Sequence, residues 1–468
     1  MRASMSPAGT SAVAMAGSAV RSWRTSPRAV STRASTGDGA PSLLPWLSRV
    51  TDDAGLESRV ALADGPHGRS LVALRQLTPG EVIFNVPFSL VFAEGDAKDA
   101  RSVLDASEAT ETLVDDGALP WSAEMAMRLL EARAGVNRPE LKPWIDSLPS
   151  FVSTPPLEFS DEALEACQDA FAIEEAKEVR AAHAAAAAEL RARLADVGCD
   201  GDDLRWAAGV LHSRCFTYGP RGTHLAVPGV DMCNHCFESP NAQVQVVTSP
   251  DECQGAAATR EIAGAQSLEV RESRFFQLRA GEDGVEEGAE ILISYGPWPN
   301  DPFFLYFGFV PDGNPNDAVA LFNDAVEAER CAARLGLIGS RVDGGSVAVA
   351  ETATVETVVD DADDDTDDAL SIGGGARRRM MLTREGIDPA IIEAARSAGV
   401  SDWLPLVEGR CLELLRAFPT TLKEDRASLD GGGLTDDEAV AVRYRMSKKE
   451  VLLGPIARAR AREAAKES

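Results

Sequence analysis

The chain has 468 residues, too many for one small core and enough for two or three domains. Hydrophobic residues make up 44% of it, yet no apolar run approaches the roughly 18 to 20 residues of a membrane-crossing helix, so a soluble chain is expected. The formal net charge of -28 speaks against a duplex nucleic-acid binder, which needs a basic face.

The first 36 residues differ from the rest. They carry Arg2, Arg21, Arg24, Arg28 and Arg33, a dozen Ser or Thr, and no acidic residue. That is the composition of an organelle transit peptide, with the chloroplast stroma as the expected destination and the mitochondrion as the alternative. A plain disordered tail accounts for the same residues without any targeting. The eight cysteines follow no regular spacing and read as reduced thiols rather than a disulfide framework.

Between residues 45 and 87 the pattern is short and β-like, with strands expected over 60–62, 71–74 and 82–86, split by turns at Asp64-Gly65-Pro66-His67-Gly68 and Thr78-Pro79-Gly80. Helical periodicity follows over 122–135, 160–196 and 203–216, with Ser160-Asp161-Glu162 as a helix start. β character returns over 243–247, 274–278 and 291–294, interrupted by polar surface insertions at 249–267 and 281–288. Beyond Phe309 the chain reads as helical over 318–338, 386–398, 403–418 and 435–463, around a disordered acidic and glycine-rich loop near 355–380.

Two motifs about sixty residues apart carry the chemistry: Val230-Asp231-Met232-Cys233-Asn234-His235 and Glu290-Ile291-Leu292-Ile293-Ser294-Tyr295-Gly296. Each is an apolar run ending in polar groups, as in a buried strand that delivers side chains to a site. Taken singly, the residues have plainer readings. Tyr295 is then a core residue with its hydroxyl at the surface, Asn234-His235 a buried polar turn, Asp231 a turn aspartate and Arg214 a helix C-terminal arginine. A zinc site on Cys233, His235 and Cys236 lacks a matching second pair, so no metal is expected. Cys233-x-x-Cys236 likewise lacks a thioredoxin-like setting.

Together the motifs resemble the Asn-His and Glu-x-x-x-x-Tyr-Gly signatures of SET-domain protein methyltransferases, nearest to the plastid Rubisco lysine methyltransferase branch. Three further stretches share the likeness. His67-Gly68-Arg69-Ser70-Leu71-Val72-Ala73 is similar to the branch's glycine turn, although His67 and Arg69 depart from its usual residues. Ser213-Arg214-Cys215-Phe216 resembles its Ser-Arg-x-Phe element. Asn300-Asp301-Pro302-Phe303-Phe304-Leu305-Tyr306-Phe307-Gly308-Phe309 resembles its Asn-x-x-Leu-Leu-x-x-Tyr-Gly-Phe ending, with Phe307 where a second tyrosine usually stands.

The resemblance implies an α+β fold, a SET-domain β-architecture over 45–310 with a helical insertion at about 122–216, followed by an all-α substrate-binding domain over 311–468. It implies S-adenosyl-L-methionine as cofactor and a protein lysine as acceptor. Tyr295 is the implied catalytic residue. His67, Gly68, Arg69, Ser213, Arg214, Asn234, His235 and Phe309 fall on the cofactor, Phe309 against its adenine. Arg214, Asp231, Tyr295 and Phe307 fall on the substrate side. The implied partner is a soluble organelle protein, with the Rubisco large subunit and fructose-bisphosphate aldolase as examples from the branch. Neither nucleic acid nor membrane is an expected partner, and a monomer is expected.

Two alternatives stay open at this level. The acceptor is a histidine, since the branch also contains a histidine methyltransferase. Or the chain is a non-catalytic SET-like binding scaffold, which the atypical His67, Arg69 and Phe307 would suit. A nuclear chromatin methylase is disfavoured by the acidic charge and by the absence of Cys-rich zinc clusters around the motifs.

Overall fold

The computed structural model describes residues 43–65, 68–94, 119–218, 222–247, 274–338 and 379–467, with side chains as far as 458. The N-terminal 36 residues, His67, the insertion expected at 249–267 and nearly all of the loop near 355–380 lie outside the described residues.

Helix α1 (Leu43–Val50) leads into a hairpin of β1 (Val60–Gly65) and β2 (Gly68–Ala73), paired antiparallel from Val60↔Ala73 to Gly65↔Gly68. β3 (Val82–Pro87) and β4 (Phe92–Ala93) follow. The insertion then runs α2 (Trp121–Arg133), α3 (Asp161–Glu165), α4 (Ala170–Glu189), α5 (Arg191–Asp196) and α6 (Gly201–Arg214). The stretch 160–196 is therefore three helices rather than one. Ser160 does start it, its hydroxyl accepting from the Ala163 amide. The chain then turns at Gln168, which takes a positive φ of 54°, and Asp169 caps the next helix. α6 opens on a reciprocal capping box between Asp200 and Asp203.

α6 ends two residues earlier than its periodicity suggests, because Cys215 turns extended to begin β5 (Cys215–Tyr218). β5 and β4 both pair with β6 (Thr223–Ala226), a strand too short to read from sequence, in a three-stranded antiparallel sheet. β3, β9 (Phe275–Ala280) and β8 (Ala242–Val247) form a second antiparallel sheet with β9 in the middle. The third pairing is parallel: β7 (Asn234–His235) lies beside β10 (Leu292–Ile293). The stretch 281–288 is not simply a surface insertion, since Val285 is buried and exchanges both backbone hydrogen bonds with Leu77.

Beyond residue 310, residues 318–322 form β11 (Ala318–Phe322), antiparallel to β12 (Met380–Thr383), where periodicity predicts helix. A burial pattern set by this partner strand overrides the local 3.6-residue period. The remainder is helical: α7 (Ala325–Arg334), α8 (Pro389–Ser397), α9 (Leu404–Ala417), α10 (Leu422–Gly431) and α11 (Asp436–Glu467).

Three apolar cores result. The largest joins α1, the strands, α2 and α6 around Trp144, Phe84 and Phe92. A second unites the C-terminal helices around Phe322, Leu406 and Val451. The third lies between them: Phe159, Leu164 and Ala176 of the insertion meet Phe304 and Leu305, and both meet Tyr444 of α11. The two halves thus share an apolar contact around Phe304 and Tyr444.

Candidate active site

The parallel β7·β10 pair brings the two motifs together, with Leu292 opposite Asn234 and Ile293 opposite His235. Asn234 Nδ2 donates to Glu290 Oε1 at 2.7 Å. Asn241, at the mouth of β8, reinforces the join: its Nδ2 donates to the Glu290 carbonyl at 2.8 Å and its Oδ1 accepts from the Leu292 amide at 2.8 Å. β2 closes the other side, where Leu71 O accepts from the Ile291 amide and the Ala73 amide donates to Ala289 O. Every backbone group of so short a strand pair needs such partners, because burial forbids leaving them to water.

Tyr295 emerges from the end of β10 into this frame. Its amide donates to His235 Nδ1 at 3.1 Å, and its hydroxyl donates to the Cys233 carbonyl at 2.7 Å. Burial pushes the Tyr295 pKa well above the ordinary phenol value, with Arg214 opposing and Cys233, Asp231 and Glu290 adding to the rise. The hydroxyl is therefore neutral, and its lone pairs remain open to a further donor. Burial also pulls His235 down to about 4, against a raising backbone contact with Ile293, so the ring is neutral and only a weak proton acceptor at ordinary pH. With Nδ1 accepting, its proton sits on Nε2, which is buried without a partner among the described residues.

The aromatic wall comes from a wide π-turn, Phe303–Phe307, ended by Gly308 at φ 74°. Phe307 stacks on Tyr295 at 5.4 Å between centroids and Phe303 stacks on His235 at 4.9 Å. Phe309 packs against Phe303 at 5.3 Å. The extra residue in a π-turn re-aims the side chains that follow it, a local device common at functional sites.

Asp231 and Arg214 lie beneath. Arg214 Nη1 donates to the Asp231 carbonyl at 2.6 Å and stands 3.5 Å from its carboxylate. The carboxylate also accepts from Trp144 Nε1 at 3.1 Å and from the Gly229 amide at 2.8 Å. Burial raises the Asp231 pKa, while Arg214, Trp144 and Gly229 hold the charged form. The Asp231 side chain is wholly enclosed and ties the insertion to the first motif.

Tyr295, Asn234, His235, Arg214, Asp231, Phe307 and Phe309 form one connected cluster. The glycine turn is less engaged. Gly68 is exposed with φ 91°, and the Arg69 guanidinium donates to the Ser147 carbonyl at 2.9 Å, so that side chain is committed to the insertion. Ser213 spends its hydroxyl on the Val210 carbonyl of its own helix. Three partners escaped sequence reasoning: Trp144, Asn241 and Trp298, whose Nε1 donates to the Tyr295 carbonyl at 2.8 Å. Only Asn241 left a trace, as a polar residue after Pro240 just before the alternating strand Ala242–Val247.

The fold has a counterpart in solved structures. The SET domain of LSMT bound to lysine and AdoHcy superposes with a TM-score of 0.59 at 17% identity, over 92% of this chain and 93% of that one. Rubisco LSMT bound to AdoMet gives 0.57 at 18% identity, over 92% and 93%. The fold is that of the SET-domain protein methyltransferases.

Residues 395–452 of this SET-fold chain match the family described as Rubisco LSMT substrate-binding, which covers α9, α10 and the first half of α11. In sequence the chain is similar to an actin-histidine N-methyltransferase of Gallus gallus, 22% identical over 89% of this chain and 67% of that protein. The Homo sapiens protein of the same name is 23% identical over the same shares. A chloroplastic ribulose-1,5 bisphosphate carboxylase/oxygenase large subunit N-methyltransferase of Nicotiana tabacum is 25% identical, over 54% of this chain and 48% of that protein. The chain thus spans about two thirds of the first two and about half of the third.

Two orphaned groups test the fit of the cofactor. Arg214 Nε and His235 Nε2 are buried at the site, and neither has a hydrogen-bond partner among the described residues. A ligand with a carboxylate suits a guanidinium, and one with further acceptors suits an imidazole N–H. S-adenosylmethionine carries both kinds of group.

Proposed function

We propose that this chain is an S-adenosylmethionine-dependent protein methyltransferase whose acceptor is a lysine side chain of a soluble organelle protein. The carrying observation is Tyr295: a buried, neutral hydroxyl fixed on the Cys233 carbonyl, with an aromatic ring stacked on it.

Bound S-adenosylmethionine supplies an electrophilic methyl for in-line displacement. The chain's own groups handle the acceptor. A lysine amine must be neutral to attack, and at pH 8 deprotonation costs about 3.3 kcal/mol for a free side chain. The aromatic carbon of Phe307 and Phe303 disfavours the ammonium and so lowers that cost. The Tyr295 hydroxyl and the Cys233 carbonyl then fix the amine's direction, which is a positioning task. Arg214 and His235 offer donors on the cofactor side, with Asn234 holding the strand that carries Tyr295. Phe309 offers a flat face for the adenine. The helices matched to the substrate-binding family are the docking surface for the acceptor protein.

A histidine acceptor is the second reading. The actin-histidine N-methyltransferases, similar over most of the chain, favour it, and so does the missing hydroxyl at Phe307. An imidazole is already neutral at pH 8 and needs no help from an apolar wall. The first 36 residues suit import into a plastid, or failing that a mitochondrion, and the Rubisco large subunit and aldolase are the first acceptors to try.

The experiment is methyl transfer from radiolabelled S-adenosylmethionine into undermethylated stromal extract, followed by acid hydrolysis of the labelled band. Label in methyl-lysine that disappears with Tyr295→Phe supports the lysine reading. Label in methyl-histidine transfers the chain to the second reading. Absence of both label and cofactor binding would leave a SET-fold binding scaffold.

A further inference from the structure

α11 places two polar residues deep in the contact between the halves. Tyr444 is fully enclosed, and Lys448 is only 3% exposed. Both reach Asp301, two residues before the π-turn begins at Phe303: the Tyr444 hydroxyl donates to one carboxylate oxygen and Lys448 Nζ donates to the other at 2.5 Å. Lys448 Nζ also donates to the Ala318 carbonyl at 2.8 Å, and the Tyr444 ring stacks on Phe304 at 4.2 Å. Burial opposes the ammonium, but the carboxylates of Asp301, Asp317 and Asp169 outweigh it and hold the Lys448 pKa above the ordinary lysine value.

From Asp301 a polar route runs inward. Asn300, its neighbour, donates its amide and its Nδ2 to the two oxygens of Asp317, at 3.2 and 3.0 Å. Asn314 Nδ2 donates to Asn300 Oδ1 at 2.8 Å and to the Trp298 carbonyl at 2.9 Å. Trp298 Nε1 then donates to the Tyr295 carbonyl. Asn300, Asn314 and Asp317 are all fully buried. The same Asp301 begins the turn that presents Phe307 to the Tyr295 ring.

We propose that Lys448 and Tyr444 are positioning residues for Tyr295: the C-terminal helix fixes, through Asp301, the segment that carries the active-site hydroxyl and its stacked ring. This rests on the methyltransferase reading. A buried ammonium is a costly way to pack a helix, since well-packed apolar residues in its place are often as stable or more so. What it provides is a fixed point, joined to the π-turn on one side and to β11 on the other. Displacement of a reacting group by about 1 Å costs on the order of a hundredfold in rate, so such a point matters to turnover.

The test uses the full chain and the variants Tyr444→Phe, Lys448→Met and Trp298→Phe. Tyr444→Phe keeps the ring on Phe304 and is the variant expected to fold normally. It should lower kcat about tenfold while the KM for S-adenosylmethionine stays within about twofold, and amide exchange over residues 295–307 should quicken with melting unchanged. Lys448→Met should act in the same direction and further. The double variant Tyr444→Phe/Trp298→Phe should lose less than the sum of the two single effects on ln kcat, because both cut one route.

Additive losses, or a Tyr444→Phe protein with normal kcat and normal exchange, would overturn the proposal. A folded Lys448→Met protein with wild-type kcat would do the same. Were the wild-type chain to transfer no methyl while Tyr444→Phe still loosened residues 295–307, the reaction would be refuted and the anchor supported.

Discussion

The Tyr295 hydroxyl donates to the carbonyl oxygen of Cys233 across 2.7 Å, although 62 residues separate them in sequence. That bond exists because β7 and β10 run parallel, bringing the ends of two distant motifs to one point. It orients the hydroxyl and leaves its lone pairs free to accept a further hydrogen bond.

Tyr295→Phe should retain the stack with Phe307 and lose only the hydroxyl. Turnover is expected to fall about a hundredfold, as for loss of alignment at a reacting group, with cofactor affinity nearly unchanged. Steady-state kinetics beside calorimetric titration of S-adenosylmethionine separates the two effects. Unchanged turnover would remove Tyr295 from its assigned role.

Arg214→Met leaves the enclosed Asp231 carboxylate without its cation. Removing one partner of a buried pair typically costs about 3 kcal/mol or more, and urea denaturation should show a loss of that size. Adding Asp231→Asn should recover part of it, since the stranded charge is then gone. The chain should also bind S-adenosylmethionine more weakly once the unpartnered Nε is lost.

His212 gives the pH dependence a definite sign. It packs between Trp121 and Tyr306, and neither ring nitrogen has a partner among the described residues. Burial, with His183 and His224 adding to it, lowers its pKa from 6.5 to about 3. Above pH 6.5 both folded and unfolded forms are neutral there, and nothing is lost. As pH falls below 6.5 the unfolded chain takes the proton and the folded chain does not, so stability drops until about pH 3. By pH 5 the loss from this one group is about 2 kcal/mol. His212→Phe should abolish that portion, read as a smaller difference in unfolding free energy between pH 7 and pH 5.

Gly308→Ala should be poorly tolerated. At φ 74° a side chain is strained, and its Cβ would run into the Ser153 carbonyl. A stability loss of about 2 kcal/mol or more is expected. Because Gly308 ends the π-turn, kcat should fall in whatever fraction remains folded. Wild-type melting temperature in this variant would refute the tight approach.

Much of the site was legible. The apolar run before Tyr295 is a local signal and holds the strand Leu292–Ile293, whereas the run before Asn234-His235, expected as a buried strand, folds as a 3-10 turn over Val230–Met232 and the strand begins only at Asn234. Ser160 announced a helix start through the same hydrogen bond that caps it. Illegible were the residues whose role depends on a distant partner. Trp144 looks like any core tryptophan until its indole N–H meets Asp231, and Trp298 like a loop residue until it meets the Tyr295 carbonyl. β11 was misread as helix because its period is set by β12, some sixty residues on.

The sequence by itself determined most of the short strands and the helices between them, because periodicity, capping and turn chemistry act over a few residues. Only the tertiary structure decided that the Asp231 side chain is enclosed, that Arg69 is committed to Ser147, and that α11 reaches Asp301. Those outcomes depend on which charges share a buried volume, and a side chain's solvation is settled by residues brought to it from elsewhere in the chain.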